Sequence, residues 1–214
     1  MRWGWIVDNA GRIGDLAWAH FSLSWPAILA SFFIALPIGW FAHRHARTRE
    51  VIVVLTGLLY VIPSLALFVV MPLFLGTSIL SPLNVIVAMT LYGLALQVRA
   101  TADAFGTVPG DVRQAAIATG YPAWRRVLSV ELPLAGPALL AGIRVVSAST
   151  ISLVSVGALI GVSSLGTLFT EGFQRSFPTQ IMVGLLGTVV LAVLFDAALV
   201  LLGRLLLPWA RRVG

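Results

Sequence analysis

Arg144 and Asp196 each lie in the middle of a long apolar run. A charge at such depth in a bilayer is costly, is usually paired and often serves a function. Arg144 follows Pro133 by eleven residues and Asp196 precedes Leu207 by eleven. At about 1.5 Å per helical residue both sit about 16 Å in from the same side. The spacing predicts an intramembrane ion pair, either a clamp between helices or part of a gate. Five hydroxyls, Ser147, Ser149, Thr150, Ser152 and Ser155, share the run with Arg144. On a helix, Ser147, Thr150 and Ser155 fall within an arc of about 140°, while Ser149 and Ser152 point elsewhere. The first three could wall a polar pathway, or simply let helices pack closely. Pro63 and Ser64 interrupt another apolar run after Tyr60. Proline frees a backbone carbonyl, which is tolerated where it lines a cavity or is re-satisfied. A kinked helix lining a pathway and a plain kink both fit. Tyr60, Tyr92, Phe68 and Phe74 could present aromatic faces to a cation, and nothing in the sequence assigns them.

Much chemistry is excluded. All 14 basic residues are arginine, so a phosphate-binding G-x-x-x-x-G-K-[ST] loop and a Schiff-base lysine are both absent. Without cysteine there is no disulfide, thiolate ligand or thiol nucleophile. His43 and His45 flank Arg44 in a basic loop and are read as solvated rather than as a metal pair. His20 stands apart, so no nucleophile–base set for an intramembrane enzyme is visible. No catalytic residue, metal or resident cofactor is expected. The sequence pI near 11.3 is assigned to loop arginines that orient the chain, not to nucleic-acid binding.

These residues need elements to hold them. The chain has 214 residues, 59% apolar and 10% charged. A crossing takes roughly 20 helical residues, so the length suffices for five or six crossings without a soluble domain of ordinary size. Five runs are legible: 21–42, 51–75, 83–98, 134–160 and 181–207. Residues 1–20, with Trp3, Trp5 and Trp18, read as an interfacial lead-in. Residues 21–207 read as one transmembrane domain of all-α class and 208–214 as a tail. Alternate loops place Arg44, Arg47, Arg49, Arg99, Arg113, Arg125, Arg126, Arg204, Arg211 and Arg212 on one side. The other side receives Arg2, Arg12 and Arg175. Positive loops stay inside, so the N-terminus is expected outside and the C-terminus in the cytoplasm. A re-entrant dip by 161–178 or by the lead-in is the only route to a sixth segment.

The long polar stretch 99–133 is therefore cytoplasmic. Thr107 can cap a helix with Pro109 near its first turn, and Asp111 suits that end of the dipole. Gly120 supplies a left-handed stop. Pro122 can start a second helix, 123–131, which Pro133 is expected to end. A helix, a glycine hinge and a helix make a knob that could fit a partner's groove, or a rigid connector that touches nothing.

The segment Gln114-Ala115-Ala116-Ile117-Ala118-Thr119-Gly120, nine residues, then Val130-Glu131-Leu132-Pro133 resembles the EAA loop of bacterial ABC-importer permeases, E-A-A-x-x-x-G, nine residues, I-x-L-P. Gln114 replaces the usual glutamate and keeps its shape without its charge. Tyr60–Ala66, Leu132–Pro137, Ala141–Arg144, Ala158–Gly161, Leu165–Gly166, and Asp196 ahead of Leu202–Arg204 are similar to permeases for glycine betaine, carnitine, choline and proline. The resemblance implies the five-helix core of a type I importer permease. It also implies an ATPase subunit that binds ATP-Mg, a second permease copy or paralogue, and an extracytoplasmic solute-binding protein. Arg113, Gln114, Ala115, Ala116, Gly120, Leu132 and Pro133 are then the residues expected to couple to the ATPase. Tyr60, Pro63, Ser64, Ser147, Thr150 and Ser155 are those expected along the pathway. A stand-alone secondary transporter or channel, with Asp196 as coupling acid, is the alternative; it gives the ordered knob no task.

Overall fold

The computed structural model describes residues 2–209; Arg211, Arg212 and most of the expected tail 208–214 lie outside the described residues. Its helices are α1 Trp3–Asp8, α2 Ala10–Arg44, α3 Ala46–Leu59, α4 Ser64–Leu75, α5 Pro82–Gly106, α6 Gly110–Ala118, α7 Ala123–Arg126, α8 Leu132–Val154, α9 Gly166–Gln174 and α10 Pro178–Leu206. A π-helical turn, Val127–Glu131, joins α7 to α8, and a 3₁₀ turn, Ser155–Ile160, follows α8. The architecture is all-α, as expected.

Four helical rods, Ala10–Arg44, Pro82–Gly106, Ala123–Ile160 and Pro178–Leu206, are long and apolar enough to cross a membrane. The pair α3 and α4 passes only jointly, with a 96° bend between them. Their contacts settle how the pair runs. Arg49 at the start of α3 bonds Asp103 near the end of α5 at 2.5 Å. The Tyr92 hydroxyl, midway along α5, donates to the Ile62 carbonyl at the bend. Phe68 and Met71 of α4 pack with Val85, Ala88 and Met89 near the start of α5. The pair thus runs antiparallel to the whole of α5 and makes one broken crossing.

The other crossings alternate in the same way. Gly39 faces Thr101 and Gly93 faces Ser31, so α2 and α5 lie parallel and close. A Cβ on Gly39 would come within 2.6 Å of Thr101, and one on Gly93 within 2.6 Å of Ser31. This is small-residue packing of the kind that draws membrane helices together. Gly142 of α8 meets Ala100 and Gln97 of α5, while the Ile151 carbonyl accepts from His20 Nε2 at 2.8 Å. α8 therefore returns toward the start of α2. α10 comes back again, from Gly184 against Leu168 to Gly203 against Leu140. Five crossings result, with the described termini at opposite ends.

Three local expectations need correction. Thr107 does not cap α6. It ends α5, its hydroxyl donating to the Ala104 carbonyl at 2.7 Å, and the N-cap position of α6 is Pro109. Pro133 does not end a helix. It lies in the first turn of α8, where a missing N–H costs little. The wider π turn just before it absorbs the chain that a proline ring would otherwise strike. Run two is not one kinked helix but two, separated by the turn 60–63. The lead-in is helical as well: α2 begins at Ala10 and passes residue 20 without a break, and Trp5 sets its edge on Phe177 at 5.3 Å.

Candidate functional site

The arginine-rich end carries a knob built from α6, α7 and the π turn. Asp111 sits in the first turn of α6, where an anion is favoured. Gly120 closes that helix with φ +81°, the Tyr121 N–H bonding the Ala116 carbonyl and the Gly120 N–H that of Ile117, each at 3.0 Å. This is a Schellman ending, which a glycine adopts without the steric cost of a Cβ. Ala116 is buried beneath the helix, whereas Gln114, Ala115 and Gly120 face out. Ile117, Tyr121, Trp124 and Leu128 are exposed beside them, and the Arg125 guanidinium lies 5.4 Å from the Tyr121 ring. The outer face is apolar, small at its centre and rimmed by positive charge. Leu132 and Pro133 are not on that face. Leu132 packs toward Ala104, Phe105 and Val108, and the Pro133 carbonyl accepts from the Trp209 indole at 3.1 Å. They anchor the root of the knob.

Sequence reasoning missed Glu131. Its side chain is 0% exposed, and it is the only buried carboxylate among the described residues. Arg126 Nε donates to it at 3.0 Å, Arg113 Nε lies at 3.4 Å and Arg44 Nη1 at 3.8 Å. The Trp40 indole donates to its other oxygen at 3.3 Å. Arg113 also reaches His43 Nε2 at 3.2 Å. The signal was present: from Arg113 to Pro133 it is the one acid among three arginines, next to Leu-Pro. What hid it is that its partners are scattered from Trp40 to Arg126.

Along the broken crossing, Tyr60 is 45% exposed and Tyr92 4%, their rings edge-to-face at 5.5 Å. Pro63 is exposed and Ser64 half-buried. The Tyr60 hydroxyl meets Ser149 Oγ at 3.4 Å. The structure does not keep Ser147, Thr150 and Ser155 together as a wall. Ser147 and Thr150 are buried in helix packing, with Ser147 Oγ donating to the Arg144 carbonyl at 2.8 Å. Ser155 is half-buried in the 3₁₀ turn, while Ser149 and Ser152, set aside by the periodicity, are the more open hydroxyls. Arg144 and Asp196 meet in a two-pronged pair, Nε–Oδ1 2.6 Å and Nη2–Oδ2 2.8 Å, across the α8–α10 groove.

At the opposite end Glu171 of α9 accepts from Arg12 and from Gln180, the latter at 2.7 Å. The Arg12 hydrogen bond holds its carboxyl below the usual carboxylate range against some desolvation. Among the described residues no three His, Cys, Asp or Glu side chains gather as metal ligands. The arrangement offers surfaces, ion pairs and a broken helix, and these suit movement and docking.

Residues 27–212 match the family described as binding-protein-dependent transport system inner membrane component. The osmoprotectant import permease protein OsmW of Salmonella typhimurium is 33% identical over 195 residues, covering 90% of each chain. The glycine betaine/carnitine/choline transport system permease protein OpuCD of Bacillus subtilis is 27% identical over 208 residues, covering 97% of this chain and 90% of its own. Among solved structures, an inward-facing MetNI methionine ABC transporter chain superposes with TM-score 0.80 at 20% identity, covering 91% of this chain and 95% of that one; that likeness concerns the fold.

Proposed function

Because this chain belongs to the family of binding-protein-dependent transport system inner membrane components, we propose that it carries a compatible solute of the glycine betaine, choline, carnitine or proline kind. It is the membrane permease subunit of an ABC importer, and such a subunit works with an ATPase and a solute-binding protein. The substrate reading is supported by the relatives, which are named for osmoprotectants, carnitine, choline and glycine betaine. The orientation follows from arginine: loops rich in it stay inside, so the knob faces the cytoplasm and residues 1–20 the exterior. The permease domain is 21–207, followed by a cytoplasmic tail. A second copy or paralogue completes the pathway, and the chain needs no cofactor of its own because ATP-Mg is held by the ATPase.

The observation that carries the mechanism is the knob. Gln114, Ala115 and Gly120, with Ile117 and Trp124 around them, form an exposed face at the arginine-rich end of a five-crossing bundle. A buried apolar patch with a polar rim is how transient protein partners dock. ATP-driven closure of the ATPase pair moves the knob, the crossings turn from inward- to outward-facing, and solute enters from the receptor. Hydrolysis returns them. Tyr60, Pro63 and Ser64 of the broken crossing, with the hydroxyls of α8 beside them, border the route. The secondary-transporter reading is weaker, because Asp196, its candidate coupling acid, is engaged by Arg144 through both oxygens.

The test is uptake of radiolabelled glycine betaine into liposomes that hold the chain alone, or the chain with its ATPase and receptor. Uptake that requires ATP and both partners is expected. Uptake by the lone chain down a gradient would refute the reading.

A further inference from the structure

We infer that Glu131 is a positioning residue that fastens the docking knob to the end of the first crossing, so that the two travel as one rigid body. The inference rests on the knob being the ATPase contact. Glu131 collects side chains from three elements far apart in sequence: Trp40 and Arg44 at the end of α2, Arg113 on α6 and Arg126 on α7. It sits itself at the head of α8 through the π turn. One carboxylate is thus the common partner of three guanidiniums. Their arrangement is unequal in what it loses. With Arg44 removed, Glu131 keeps two cations and the indole. With the carboxylate removed, three positive charges face one another around an empty centre, and the Arg113–His43 contact remains as a direct side-chain link between α2 and the knob. Breaking a buried pair from the side that leaves charge uncompensated is the damaging direction.

Movement imposed on α6 is therefore passed to the end of α2 directly through Glu131, in addition to any path along the intervening helices α3–α5. Salt-bridge networks and rigid elements of this kind are among the structures that carry coupling between distant sites.

The chain has no cysteine, which makes labelling clean. Cysteines placed at Phe41, exposed on α2, and Ala118, exposed on α6, take spin labels, and the full transporter is measured nucleotide-free and ATP-trapped. With Glu131 intact the mean label distance is expected to be the same in both states. In Glu131→Gln the distribution should broaden and shift on trapping. Solute moved per ATP hydrolysed should fall about tenfold, with Glu131→Asp recovering much of it and Arg44→Gln losing only about twofold. Co-purification with the ATPase is scored separately. A chain that never binds the ATPase sinks the docking reading, whereas a bound complex whose wild-type label distance changes between states overturns the rigid joint. If Glu131→Gln does not fold, the wild-type label pair decides alone. Unchanged solute per ATP in a folded Glu131→Gln complex also overturns the proposal.

Discussion

Tyr92→Phe removes one hydroxyl and nothing else. That hydroxyl donates to the Ile62 carbonyl in the turn between α3 and α4. The turn precedes Pro63, which has no N–H to offer, and α4 makes its first helical bond only from Leu67 to Pro63. The Ile62 carbonyl therefore loses its protein partner when the hydroxyl goes. Side-chain hydrogen bonds between membrane helices average about 0.6 kcal/mol and reach about 1.7. The carbonyl faces a tyrosine only 4% exposed, but Ile62 itself is 39% exposed, so the loss falls between those limits. We expect a loss of about 1 kcal/mol, a lowering of the melting midpoint by roughly 2–4 °C for a chain of this size. The edge-to-face contact with Tyr60 survives in the variant, which isolates the hydroxyl. Tyr60→Phe is the control: its hydroxyl makes a 3.4 Å contact with Ser149 and is accessible. Its loss should stay within about 0.5 kcal/mol, as for other surface changes. The assay is thermal unfolding of purified protein in lipid nanodiscs. Equal shifts for the two variants, or a larger one for Tyr60→Phe, would refute the claim that Tyr92 holds the broken crossing together.

Gly120→Val puts a β-branched residue at φ +81°, at a local cost of about 1–2 kcal/mol, so transport should fall while membrane insertion is retained; unchanged uptake counts against the knob. Gly166→Ala places a Cβ 2.0 Å from the Ser155 carbonyl oxygen, and the backbone must shift at a cost of about 1–3 kcal/mol, whereas Gly110→Ala meets nothing within 4 Å and should be silent in the same melt. Glu171 is depressed by Arg12, so its contribution is complete above its unfolded value near 4.5 and disappears as pH falls through its lower folded value. Melting midpoints below pH 5 should therefore drop less steeply in Glu171→Gln than in wild type. Asp196→Asn should lower folded yield more than Arg204→Gln, and equal yields would argue that the bidentate pair is dispensable.

The crossings were legible because apolar length and arginine placement are properties of whole segments. Gly120 was legible because a left-handed ending has one favoured residue. Depth arithmetic on a straight helix put Arg144 and Asp196 at one level, which is where they pair. The failures share a different cause. Which hydroxyls of α8 lie open depends on what α2 and α5 cover, so periodicity alone chose Ser147 and Thr150 over Ser149. Thr107 had two helices within reach and bonded backward to α5. Pro133 was read by its usual effect, but a π turn upstream makes room for it. Glu131 could be recognised only once residues from 40 to 126 had been brought around it.

The rod from Ala123 to Ile160 runs 38 residues without a break longer than a change of helical pitch. At about 1.5 Å per residue it is roughly 57 Å long, nearly twice a hydrocarbon layer. A rod of that length has the geometry of a lever. A tilt of about 10° about its middle swings each tip by roughly 5 Å in opposite senses, by the same length. One tip is the second half of the knob and the other is the turn beside Gly161 that meets Leu80 at the far mouth. Such a tilt would move the two ends together, with no relay of small displacements between them.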